Sequence, residues 1–294
     1  MTTVYLFNGQ GAEVPEMGLD FYHNSLIFKR IIDRADAVLA FDLPAYLFGA
    51  APLLDHPDWL QPAVVAYSVA LYQAVAARAD YLVGLSLGEY SALIASGMLD
   101  LESGLRLVQA RGQAMAAAAQ ASPGGMLAIL KSVQLPDIPD IWLANHNSPK
   151  QLVVGGTPAG LAALSAYLTA EKIRFVTLPV AGAFHTPLMA AAETELAQAL
   201  ATTDFSRGKV SVLSTTALVP FTIDNVRATL QAQVKSPTQF MQTVLKLRDL
   251  GATDFIELGP KPVLSRLVKQ IDKQLATTTI STFEEARTLD AISG

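Results

Sequence analysis

Apolar positions along the chain alternate between short β-rich runs and longer stretches at helical spacing. "TVYLF" near the start has strand length, residues 15 to 40 space their apolar side chains as helices do, and the apolar stretch from Pro62 reads as a helix. "DYLVGLS" is then a strand, followed by helices near 89 to 96 and 101 to 120. Proline at position 62 suits a first helical turn, and Asp100 is placed to cap "LESGLRLVQARGQAM". Strands alternating with helices predict an α/β fold with a parallel sheet.

Between Pro123 and Val180 the texture changes. "GGMLAIL", "IWLAN", "QLVVGG" and "RFVTLPV" are strand-like, and only "PAGLAALSAYLTAE" is clearly helical, which predicts a small inserted subdomain over 123–183. "HTPLMAAAETELAQAL" returns to helix, "KVSVLS" and "TDFIELG" read as strands, and "PVLSRLVKQI" reads as a closing helix. A larger domain is therefore expected over 1–122 and 184–294, with "TTTISTFEEARTLDAISG" loosely packed at its end.

With 51% hydrophobic and 16% charged residues among 294, the chain belongs with compact globular proteins rather than disordered ones. The most membrane-like stretch, "PAVVAYSVALYQAVAA", carries Ser68 and Gln73 and falls short of the roughly 18 uninterrupted apolar residues of a spanning helix. "MTTVYLFNGQG" lacks the basic start and cleavage site of a signal peptide, so a cytoplasmic protein without membrane partners is expected. There is no cysteine, which excludes disulfides, a thiolate nucleophile and a cysteine metal site. A formal charge of -5 and a pI near 5.4 argue against nucleic acid as a partner. Lys261, Arg266, Lys269 and Lys273 nevertheless cluster, as the solvated face of a helix or as a docking patch.

Gly84-Leu85-Ser86-Leu87-Gly88 stands between a strand-like and a helix-like run. In that context G-x-S-x-G is either an inert turn or a nucleophile elbow, with the Leu87 N–H facing a developing oxyanion. A serine hydroxyl needs a base, and the histidines are His23, His56, His146 and His185. His185, in "AGAFHTPLM" where the inserted segment returns to the larger domain, is the best placed of them; the alternative is a core histidine bonded to a carbonyl. "LFNGQGAE" has Val14 where a dinucleotide fingerprint needs its third glycine, so it reads instead as a loop whose Gln10 N–H supplies a second oxyanion donor. Arg111 shares a helix face with Gly104, Val108 and Met115, and a cation there needs an anion, either an internal acid or a substrate carboxylate. No Walker A lysine and no metal-ligand spacing is present, so neither a metal nor a cofactor is expected.

Together these pieces resemble the malonyl-CoA:acyl carrier protein transacylases of fatty acid synthesis, in order along nearly the whole chain. "FNGQGAE", "GLSLGEYSALIASG", "ARGQAM", "NHNSPKQLVVGG" and "GAFHTPLM" look like five successive motifs of that family, and "QVKSPTQF" and "ELGPKPVLSRLVKQI" extend the match. The resemblance implies an α/β-hydrolase-like large domain with a small ferredoxin-like subdomain, here trimmed because "KSVQLPDIPD" is too short and proline-broken for its first helix. It makes Ser86 the acylated nucleophile, His185 its acid and base, and Gln10 and Leu87 the oxyanion donors. It makes Arg111 the ligand of the malonyl carboxylate, and places Asn145, Asn147 and Phe184 around the substrate. The Gln233 carbonyl, not an acidic side chain, would orient the histidine. Leu85 stands where most members carry histidine, and Glu13 replaces a glutamine.

The activity implied is ping-pong transfer of malonyl from malonyl-CoA, through a serine ester, to the phosphopantetheine thiol of holo acyl carrier protein, by a monomer without a cofactor. The rivals are an acyl hydrolase of the same fold, an ordinary esterase, a silent docking subunit, and an acyltransferase serving a polyketide synthase. Arg111 speaks against the first two, because neutral acyl groups have no use for a buried cation.

Overall fold

The computed structural model describes residues 2–49, 57–75 and 78–293. The chain opens with β1 (Thr2–Phe7) and three helices, α1 (Leu19–Asn24), α2 (Leu26–Asp36) and α3 (Leu43–Phe48). Then come α4 (Pro57–Val75), β2 (Tyr81–Gly84), α5 (Gly88–Ser96) and α6 (Leu101–Ala121). The middle of the chain holds β3 (Gly125–Ile129), β4 (Ile141–Ser148), β5 (Gln151–Gly156), α7 (Pro158–Ala170) and β6 (Phe175–Thr177). A 3-10 turn over Pro187–Met189 leads into α8 (Ala190–Ala201), β7 (Ser211–Val212), α9 (Val226–Gln233) and α10 (Phe240–Asp249). The chain ends with β8 (Ala252–Leu258), α11 (Leu264–Ile271), β9 (Ala276–Ile280) and α12 (Phe283–Ser293).

The strands form two sheets. One is five-stranded and parallel throughout, in the order β7-β2-β1-β8-β9. The other is four-stranded and antiparallel, in the order β4-β5-β3-β6. Side chains of β1 alternate between two cores: Tyr5 and Phe7 join the helices on one face of the parallel sheet, Val4 and Leu6 join α10 and α11 on the other. Burial on both faces explains why "TVYLF" is an apolar run rather than an alternating one.

Local chemistry accounts for several boundaries. Asp100 caps α6 as expected, accepting from Ser103 N at 2.9 Å. Glu257, at the end of β8, accepts from the N–H groups of Val263, Leu264 and Ser265 and so begins α11. Residues 15 to 40 divide into two helices because Ser25 is extended, its hydroxyl accepting from Phe28 N at 3.2 Å.

Two expectations are corrected. Pro62 does not open its helix: α4 begins at Pro57, and Pro62 lies inside it. The hydrogen bond lost there is offset by packing, since Ala63, Val64, Val65 and Ala66 are all buried. The C-terminal stretch is not loosely packed either. Its β9 pairs in parallel with β8, the Phe283 N–H donates to Asp20 at 2.7 Å, and the Phe283 ring meets Phe21 edge-on. A threonine-rich strand carries no apolar signature, so its place at the sheet edge was invisible in the hydropathy.

Candidate active site

The loop after β2 turns sharply into α5, and Ser86 sits on the turn with φ of 54°, in the left-handed region that a side chain seldom adopts. The flanking glycines permit it. A Cβ on Gly84 would stand 1.9 Å from the Gly88 carbonyl carbon, and one on Gly88 would stand 2.2 Å from the Phe7 oxygen. The loop after β1 approaches as closely, since a Cβ on Gly9 would lie 2.5 Å from the Leu85 oxygen and 3.8 Å from the Leu87 nitrogen. Gln10 and Leu87 therefore border the serine from two different strands.

Ser86 Oγ is 2.7 Å from His185 Nε2. The other ring nitrogen, Nδ1, lies 2.8 Å from the Gln233 carbonyl oxygen, which can only accept, so Nδ1 carries the proton and Nε2 is left as the acceptor for the serine hydroxyl. The His185 backbone is also left-handed, with φ of 61°, and its N–H donates to the Val234 oxygen at 3.0 Å. The imidazole is only 4% exposed. Burial first, and then the Arg111 cation, push its pKa down to about 4, so the ring is neutral at physiological pH.

Arg111 reaches the same point from α6. Its guanidinium donates to Gln61 Oε1 at 2.8 Å, to Ser86 Oγ at 3.2 Å and to Gln233 Oε1 at 3.3 Å, with the face of Tyr90 5.5 Å away. Burial pulls its pKa below the ordinary arginine value. Behind it, Glu89 is wholly buried; burial pushes its carboxyl up, against hydrogen bonds from Thr215, Gln233 and Ser214 that favour the charge.

These residues open into a cavity of about 640 Å³ between the two sheets. Asn145 and Asn147 line it from one face of β4, while His146 between them points away and pairs with Gln242 at 3.0 Å. Asn145 donates to Thr238 at 2.6 Å and Asn147 to Gln151 at 2.8 Å. Phe184, Met115 and Met126 form part of the apolar wall, and Leu85 and Glu13 border the cavity as well. Glu13 turns its carboxylate back onto the Gly11 N–H.

The structure thus brings together Ser86, His185, Arg111, Gln10, Leu87, Asn145, Asn147, Phe184 and Gln233. Of the other histidines, His23 is on α1 and outside the cavity lining, and His56 lies outside the described residues. Lys261 reaches the cavity wall and donates to the Glu13 oxygen at 3.4 Å, whereas Arg266 and Lys269 ride on the outer face of α11. Sequence reasoning missed Gln61, Glu89 and Gln151. Position 61 precedes the apolar run that begins at Pro62 and carries no signal of its own, and nothing local distinguishes Glu89 from a first-turn acid on α5. Among the described residues no group of three His, Asp or Glu is arranged to hold a metal, and no helix is long and apolar enough to cross a membrane.

The profile of the acyl transferase domain matches residues 4–288. The malonyl CoA-acyl carrier protein transacylase of Synechocystis sp. is 34% identical over 98% of this chain and 100% of its own length. That of Bacillus subtilis is 35% identical, covering 94% of this chain and 92% of its own. The crystal structure of MCAT from Streptococcus pneumoniae superposes with a TM-score of 0.90 at 35% identity, over 98% of this chain and 99% of that one. The parallel and antiparallel sheets found here match that architecture.

Proposed function

The chain belongs to the acyl transferase domain family, and on that premise we propose that it moves malonyl from malonyl-CoA to the phosphopantetheine thiol of holo acyl carrier protein through a malonyl ester on Ser86. The observation that carries this reading is the contact of Ser86 Oγ with both a neutral His185 and a buried Arg111. His185 Nε2 takes the hydroxyl proton as Oγ attacks the thioester carbonyl, and the developing oxyanion is met by the N–H groups of Gln10 and Leu87. The tetrahedral species collapses, the C–S bond breaks, and the protonated imidazole returns its proton to the coenzyme A sulfur. In the second half the same base deprotonates the carrier thiol, which attacks the ester carbonyl; the acyl C–Oγ bond breaks and the imidazolium returns its proton to Oγ, regenerating Ser86. The Gln233 carbonyl holds the imidazole tautomer throughout, in the role an acid has in a Ser-His-Asp triad.

Arg111 takes the malonyl carboxylate in this reading, Phe184 limits the acyl group, and Asn145 and Asn147 offer polar contacts to the pantetheine arm. The two separate sheets support dividing the chain into a large domain over 1–122 and 184–294 and a small one over 123–183. The elbow between β2 and α5 supports the α/β-hydrolase-like description. For the small domain, strand order β4-β5-β3-β6 with α7 connecting β5 to β6 supports a ferredoxin-like unit lacking its first helix. We read the enzyme as a cytoplasmic monomer that needs no cofactor and engages neither nucleic acid nor membrane.

Intact-mass measurement tests the reading. Incubation with malonyl-CoA is expected to add one malonyl group to the wild-type chain and none to Ser86→Ala, and holo acyl carrier protein is expected to take that group up. An adduct on the alanine variant would reject Ser86 as nucleophile. Malonyl lost to water without appearing on the carrier would make the protein a hydrolase.

A further inference from the structure

Arg111 is 2% exposed, yet among the described residues no carboxylate comes within ion-pair distance of it. A guanidinium in such a place normally has an acid beside it. Here its nitrogens meet only neutral oxygens: Gln61 Oε1 on one side, Gln233 Oε1 on the other and Ser86 Oγ in front, while its Nε has no partner. An acid is close at hand in Glu89, but its carboxylate is fully engaged. Thr215 N, Thr215 Oγ1 and Ser214 Oγ donate to one oxygen, and Gln233 Nε2 donates to the other at 2.6 Å.

Gln233 therefore stands between the Glu89 carboxyl group and the buried cation. Its Nε2 also donates to the Ser86 carbonyl oxygen at 3.1 Å. Turning the amide over would set N–H groups against the guanidinium and an oxygen against the Ser86 carbonyl, so the Arg111 donor and the Ser86 acceptor fix its direction. Gln61 closes the other side from α4, buried to 7% exposure and bordering the cavity.

We propose that Gln61 and Gln233 are specificity-determining positioning residues: they hold Arg111 in place with uncharged oxygens, and Gln233 also spaces it from Glu89, so that the guanidinium has no anion until the carboxylate of the acyl group arrives. The inference rests on Arg111 being the group that reads that carboxylate. An acid in either glutamine's place would pair with Arg111 permanently and compete with a dicarboxylic acyl group, whereas a neutral acyl group would enter more easily.

Gln61→Glu is the direct test, since it changes the charge at nearly constant shape. Loading kinetics with malonyl-CoA and acetyl-CoA are compared for wild type, Arg111→Ala and Gln61→Glu. Arg111→Ala is expected to lose malonyl loading and keep acetyl loading. Gln61→Glu is expected to lower kcat/KM for malonyl about tenfold or more, the worth of a hydrogen-bonded charge pair, with acetyl unchanged or faster. If Arg111→Ala changes both substrates alike, the reading of Arg111 fails and takes the inference with it. If Arg111→Ala is selective but Gln61→Glu keeps the malonyl preference, or loses both substrates equally, the inference alone is overturned. Should Gln61→Glu not fold, the wild-type protein decides: the malonyl-loaded form is expected to melt above the acetyl-loaded form, because only malonyl supplies the absent anion, and equal midpoints would overturn the proposal.

Discussion

His185 is held neutral by burial and by the nearby Arg111 cation, against two backbone carbonyls that favour its protonated form. With His185 as the proposed base, a pKa near 4 keeps it competent well below pH 6.5, so the acid limb of the proposed Ser86 acylation should lie near pH 4 rather than at the usual histidine value. Rates of adduct formation from pH 4 to 8 check this, and a midpoint near 6.5 would contradict it. The linked stability has a definite sign: the unfolded chain binds the His185 proton more readily, so this contribution is complete above about pH 6.5 and fades as pH falls through the folded value near 4. Ser86, His185 and Arg111 were legible because each sits in a short motif with its own local chemistry. Gln61 and Glu89 were not, because what they do depends on partners 50 and 126 positions away, Arg111 and Thr215.

At the scale of elements, the elbow between β2 and α5 is the most constrained feature. Gly84→Ala would drive its new Cβ into the Gly88 backbone, which cannot yield as a flexible side-chain tip could. We expect a loss of about 3 kcal/mol in stability and failure to form the acyl-enzyme, read by thermal melting and intact mass; an unchanged midpoint would mean the turn is looser than described. Most elements were legible from periodicity and caps, as with α6 behind Asp100 and α7 in "PAGLAALSAYLTAE". Failures came where tertiary packing overrode a local rule. Pro62 is tolerated inside α4 because that helix is buried, and β9 forms from "ATTTI" because the edge of β8 offers it a row of hydrogen bonds.

The whole molecule carries a net charge of -5 yet exposes Arg266 and Lys269 on α11 and Lys273 just after it, while Lys261 joins the cavity wall. Acyl carrier proteins are acidic, so these cations are expected to steer the encounter. Reversing Arg266 and Lys273 to glutamate should raise KM for carrier protein several-fold at low salt and flatten its salt dependence, with malonyl loading from coenzyme A unchanged. Equal kinetics would leave them as a solvated face. Features that act over a few residues can be read along the chain: the apolar runs that become buried strands, the side chains that cap helices, and the glycines that let the Ser86 turn form. Which polar groups meet depends on long-range packing. Hydrogen-bond partners separated by 50 to 147 positions are chosen by how the sheets and helices pack, and that packing set a neutral glutamine between Glu89 and Arg111.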